Sequence, residues 1–131
     1  MQTLTAATTR KDQVVDLTDR VQQALLDEVP ASDSGACLVF AAHTTCAVTT
    51  ADLDPGTDLD FLQALRHLLP PLTYRHPHDP AHAPDHILAA IIGPSVIVPY
   101  AKGRLQLGTW QRIVLVELDG PRQRTVTVTV L

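Results

Sequence analysis

Six histidines are spread unevenly along the 131 residues: His76, His78, His82 and His86 crowd into "YRHPHDPAHAPDHI", while His43 and His67 stand apart. Neutral imidazoles bind zinc-type ions and exchange protons near pH 7, so the segment points to metal or acid/base chemistry. Its own geometry argues against a self-contained metal site. His76 and His78 lie two apart with Pro77 between them, so their side chains diverge, and Pro84 disfavours the helix that would put His82 and His86 on one face. A shared site fits better, in which one or two loop histidines, above all His86 at the start of a short helix, join His43 from "AAHTTCAV". There His43 stands between two apolar, strand-like runs, beside the hydroxyls of Thr44 and Thr45. A strand terminus can hold a polar group rigidly in a cleft. A turn histidine bonded to backbone is the ordinary structural alternative.

Three further groups bear on a ligand. Asp52, Asp54, Asp58 and Asp60 surround the start of a second helix, where acids complement the helix dipole and Thr57 with Asp60 resembles a capping box; an ion-binding role falls best on Asp60. In "GRLQLGTWQR", Trp110 can stack on an aromatic heterocycle or pack in the core, and Gln111 offers an amide to a ring edge. In "LDGPRQR", Arg122 and Arg124 lie two apart after a Gly120-Pro121 turn, and two guanidinium forks on one face suit phosphate or carboxylate. Solvated turn arginines are the alternative.

Composition limits what such a site serves. A net charge of −4 argues against nucleic acid, although five of the ten basic residues (Lys102, Arg104, Arg112, Arg122, Arg124) fall near the C-terminal end and could meet a small anion. No apolar run approaches the ~20 residues of a membrane span, and "MQTLTAATTR" lacks the features of a secretory signal, so a cytoplasmic protein is expected. Cys37 and Cys46 form no CxxC pair and sit in apolar runs, as buried free thiols do. No Gly-rich phosphate loop is present.

These residues must be positioned by one α+β domain over residues 1–131, with a mostly antiparallel or mixed sheet and two to three short helices. "TLTAATT" and "DQVVDLT" read as strands, and "TDRVQQALLDEV" as a helix behind Thr18 or Asp19. "ACLVFAA", nearly all apolar, reads as a central strand, followed by "CAVTTAD". A second helix is expected over 58–69 with Thr57 as N-cap, stopped by Pro70 and Pro71. Five of the ten prolines then enforce a loop of about 14 residues, long enough for a lid or binding loop. "DHILAAII" reads as a helix capped by Asp85. "SVIVPY", "QRIVLVEL" and "RTVTVTVL" read as strands, the last with the strict alternation of a half-buried one.

Taken together, "AAHTTCAV", "YRHPH", "DHILAAIIGPSVIVPYAKGRLQLGTWQR" and "ELDGPRQR" resemble the YjbQ-like proteins, a largely uncharacterised family often labelled secondary thiamine-phosphate synthase. The resemblance implies an α+β homotrimer with weak coupling of a pyrimidine diphosphate to a thiazole phosphate. The family's HTT histidine falls on His43, its Tyr-x-His on Tyr74 and His76, its later histidine on His86, its GTWQ on Gly108 to Gln111, its helix aspartate on Asp60 and its PR-x-R arginine on Arg122. Ala51 and Asp52 stand where relatives often carry Asn-Glu. On this reading His43, His86 and Asp60 are catalytic, and Thr44, Thr45, Trp110, Gln111 and Arg122 bind a small phosphorylated substrate. His43, His76 and His86 hold a divalent metal, Mg or Zn, whereas His78, His82 and His67 are surface polarity. The alternative is a non-enzymatic protein that binds a metal or a phosphorylated metabolite.

Overall fold

A computed structural model describes residues 1–131. Two antiparallel sheets face each other. The larger has the order β1 (Gln2–Ala7), β8 (Gln123–Val130), β3 (Gly35–Ala41), β5 (Ser95–Ala101), β6 (Arg104–Leu105), and the smaller has β2 (Gln13–Asp16), β7 (Arg112–Glu117), β4 (Cys46–Ala51). Three helices complete the chain: α1 (Thr18–Glu28), α2 (Thr57–Leu68) and α3 (Ala83–Ile92), the last preceded by a single 3₁₀ turn at Pro80–His82.

The patterning of the strands follows from this layering. Between the sheets, Val39, Val98, Val126 and Val128 of the larger pack with Cys46, Val48, Ile113 and Leu115 of the smaller, and α1 closes that core with Leu17, Val21 and Leu25. A second core lies on the other face of the smaller sheet, where Ala47, Val114, Val116 and Leu118 meet Leu62 and Leu65 of α2 and Leu88 of α3. β7 is thus buried on both faces, which is why "RIVLVE" is nearly unbroken apolar sequence. β8 is covered on one face only, so its valines point in and Thr125, Thr127 and Thr129 point out. β3 lies at the centre of the larger sheet, as its composition suggests, and pairs with β8 and β5. Both cysteines are buried free thiols. No helix is long and apolar enough to cross a membrane.

The helix starts differ from the sequence expectation. Leu17, not Thr18 or Asp19, stands at the N-cap of α1, and Asp16 Oδ1 accepts the Thr18 N–H at 2.9 Å. Gly56, in the left-handed region at φ +88°, takes the N-cap of α2 that Thr57 was expected to fill. α3 begins at Ala83 with His82 at its N-cap, not Asp85 as expected, because Pro84 sits in its first turn, where the missing N–H costs nothing. The irregular histidine loop is shortened accordingly, and His82 is drawn against the start of α3.

Candidate functional site

β3 belongs to one sheet and β4 to the other, so the chain must cross between sheets at residues 42–45, and His43 lies on that crossing. The β3–β8 ladder ends at Ala41 opposite Val126. Beyond that end the Thr125 N–H has no strand partner, and the His43 Nε2 accepts it at 2.9 Å. The side chain thus replaces the next rung of the ladder, which fixes the ring. Because Nε2 accepts, the ring proton is assigned to Nδ1 in the neutral form. Partial burial, and then the nearby Arg124 guanidinium, push the His43 pKa below its usual value and favour that form.

The crossing faces α3 across a cavity of about 320 Å³ lined by His43, Thr44, Cys46, His86, Ala89, Ala90 and Pro94. Two alanines on successive helix positions leave the space that larger side chains would fill. His43 and His86 therefore meet at one cleft, and His76 stacks on His86 with ring centroids 4.8 Å apart and planes 26° from parallel. The His76 Nδ1 faces the Asp79 carbonyl at 3.0 Å, which folds the loop back on itself. The Cys46 thiol is pushed up to about 11 by burial, so it lines the cleft as a thiol and not as a nucleophile.

Beneath the crossing lies a charged pair that the sequence reading did not pick out. Glu117 is 0% and Arg124 3% exposed. The Arg124 guanidinium donates to Glu117 at 2.5 and 2.9 Å and to the Thr45 Oγ1 at 2.8 Å, and the Thr8 Oγ1 donates to Glu117 at 2.8 Å. Burial alone would push the Glu117 carboxyl up, but the hydrogen bonds from Arg124 and Thr8 outweigh it and hold it below the ordinary range. The signal was present in the strand phase: Glu117 follows Ile113 and Leu115 on the inward positions of β7, and Arg124 precedes Val126 and Val128 on those of β8.

Several predicted residues do not reach this cleft. The Thr45 hydroxyl is committed to Arg124 and buried, whereas Thr44 does line the cavity. Arg122 is tied to its own turn, donating to the Asp119 carboxylate at 3.0 Å and to the Asp119 carbonyl at 2.9 Å. Asp60 lies on α2 in a shallow depression with Gln63, Ala64 and His67. Trp110 and Gln111 line a separate hollow with Thr50, Ala51 and Asp52, and Gln111 donates to the Thr50 Oγ1 at 3.1 Å.

The expected metal set of His43, His76 and His86 is not among the side chains whose donor atoms lie within 4.8 Å of one another. His43 already spends Nε2 on Thr125, and His76 and His86 stack face to face. The one place where three metal-ligating side chains bring donor atoms within 4.8 Å of one another is His82, Asp85 and Asp119. His82, expected to be incidental loop polarity, is therefore held in a charged cluster.

Comparison with known proteins agrees with this architecture. A family model described as UPF0047 protein YjbQ-like matches residues 2–131. A UPF0047 protein of Archaeoglobus fulgidus is 37% identical over 129 residues, 98% of each chain. YugU of Bacillus subtilis, also a UPF0047 protein, is 36% identical over 126 residues, covering 95% of this chain and 94% of its own. Among solved structures, a YbjQ-like protein of unknown function from Sulfolobus solfataricus superposes with a TM-score of 0.90 at 34% identity, covering 98% of this chain and 94% of its own. One from Clostridium acetobutylicum, of the yjbq/upf0047 family, gives 0.89 at 32% identity over the whole of both chains. Sequence and fold together establish that the chain belongs to the YjbQ-like UPF0047 family.

Proposed function

We propose that the His43–His86 cleft binds a small phosphorylated heterocycle and that the protein is a weak transferase of the thiamine-phosphate-synthase type. The observation that carries this reading is the meeting of His43, Thr44 and His86 at one partly apolar cavity, large enough for a single small ring. In such a coupling the thiazole nitrogen lone pair forms a bond to the pyrimidine methylene carbon. The bond from that carbon to the diphosphate oxygen breaks, and its electron pair leaves with diphosphate. A neutral His43 with its proton on Nδ1 is suited to donate a hydrogen bond to the departing oxygen, and Thr44 supplies a second donor. Trp110 and Gln111 join this reading through assembly: in a homotrimer, their exposed hollow on one copy would close the cleft of another.

A second reading, a binding protein without turnover, is favoured by one feature. No lysine or arginine lines the cleft, and Arg122 and Arg124 are both committed to carboxylates. Little fixed charge therefore opposes a departing diphosphate. Release of inorganic pyrophosphate on mixing the two substrates separates the readings. The transferase reading predicts slow release that falls at least roughly a hundredfold in His43→Ala, as expected for an acid/base group. Substrate binding without release would leave the binding reading.

A further inference from the structure

At the opposite end of the histidine loop, two side chains at the start of α3 meet one from a distant part of the chain: His82 at the N-cap of α3 and Asp85 in its first turn converge with Asp119 after β7. The His82 Nδ1 lies 3.3 Å from the Asp85 Oδ2 and 3.3 Å from the Asp119 Oδ1. For ligands about 2.0–2.1 Å from a tetrahedral ion, the edge between neighbouring donors is about 3.3 Å.

The outer contacts are arranged in the same sense. Asp85, 1% exposed, has its other oxygen held by Arg66 at 2.6 Å, and Asp119 has its other oxygen held by Arg122 at 3.0 Å. Each carboxylate thus keeps one oxygen fixed and turns the second toward the common centre. The remaining ring nitrogen of His82, Nε2, faces the Asp79 carboxylate at 3.4 Å. A carboxylate behind the imidazole is the usual support of a metal-bound histidine, since it takes the N–H and leaves the other nitrogen's lone pair for the ion. Without a cation at the centre, a neutral ring in that tautomer would aim its lone pair at two carboxylate oxygens.

A cation does stand beside the centre. The Lys11 ammonium lies 2.9 Å from the Asp85 Oδ2 and 3.8 Å from the Asp119 Oδ1, and it also donates to the Leu118 carbonyl at 2.8 Å. Its side chain is 55% exposed on the β1–β2 turn, so it can swing into solvent without opening the core.

We propose that His82, Asp85 and Asp119 form a site for a zinc-type divalent ion, and that Lys11 is a built-in competitor which occupies it when the metal is absent. The mixed nitrogen and carboxylate donors favour a first-row transition ion over Mg or Ca. Three protein ligands leave the fourth position to water. The ion would clamp the histidine loop to the end of β7, and this inference does not depend on the chemistry proposed for the His43 cleft.

Zinc titration calorimetry on the full chain tests it, with Co²⁺ absorption as a coordination probe and near-ultraviolet circular dichroism as a check on folding. The wild type should take up one Zn²⁺ per chain and give an intense, tetrahedral-type Co²⁺ spectrum. His82→Gln and Asp119→Asn should each weaken binding by roughly tenfold or more, whereas Lys11→Met should tighten it by about tenfold and His43→Ala should leave it unchanged. No zinc uptake, or weaker or unchanged binding in a folded Lys11→Met protein, would overturn the proposal. Loss in His43→Ala with His82→Gln unaffected would overturn it by moving the ion to the cleft.

Discussion

At the scale of single residues, the His43 ring is locked by one backbone amide and biased toward its neutral form. Its pKa is lowered in the fold, so as pH drops below about 6.5 the unfolded chain takes up a proton that the folded ring resists. His43 therefore contributes stability that is complete above pH 6.5 and declines as the pH falls toward its lowered value. Thermal unfolding of wild type and His43→Gln between pH 8 and 5 should show the two midpoints converging on the acid side; a wild-type advantage that grows with acid would contradict the assigned tautomer. The Glu117–Arg124 pair makes a second prediction. Either Glu117→Gln or Arg124→Met leaves a partner buried without its counter-charge and should cost about 3–5 kcal/mol in denaturant unfolding, whereas an apolar double replacement should cost less than the sum. A double variant whose loss equals the sum of the two single losses would show that the two residues act independently, through packing alone.

At the scale of elements, the strands were legible because their patterning reports how many faces are covered. The unbroken apolar run of β7 and the Thr/Val alternation of β8 each state a burial environment directly. Helix starts were less legible: Thr57 and Asp85 carry good capping chemistry, yet the N-caps fall on Gly56 and His82, since backbone conformation and tertiary packing select among several candidate residues. Of the site, the convergence of His43 with His86 could be read from where proline and strand ends fall. The destination of Arg122 could not, because an arginine in a turn has an acid of the same turn within reach, and Asp119 captures it. Gly120 illustrates a constraint visible only in three dimensions. A Cβ there would lie 2.1 Å from the Arg10 carbonyl oxygen and 2.9 Å from the Thr8 Oγ1, at the contact of the β7–β8 turn with the β1–β2 turn. Gly120→Ala should therefore destabilise the fold by more than about 2 kcal/mol in urea unfolding, a far larger loss than an exposed turn normally shows. A variant within about 0.5 kcal/mol of wild type would mean that the two turns are not packed as described.

At the scale of the whole molecule, one face remains uncovered. The smaller sheet is enclosed by the larger one and by α2 and α3, but the outer face of the larger sheet presents Leu38, Phe40, Ile97 and Pro99 to solvent, with Ile97 64% exposed; Trp110, in the loop before β7, is 69% exposed. Aromatic and β-branched side chains of this kind are suited to an interface between copies. Light scattering should give about three times the 14.2 kDa chain mass, and Ile97→Glu should shift it to monomer with the fold retained. A monomeric wild type would remove Trp110 and Gln111 from the proposed site. The central claim, that ligand binds between His43 and His86, is tested most directly by amide NMR during titration with a phosphorylated thiazole. The largest shifts should fall on Thr44, Ala90 and Thr125, the last because its N–H is bonded to the His43 ring. Shifts confined to the depression around Asp60 and His67, with Thr125 unmoved, would contradict it.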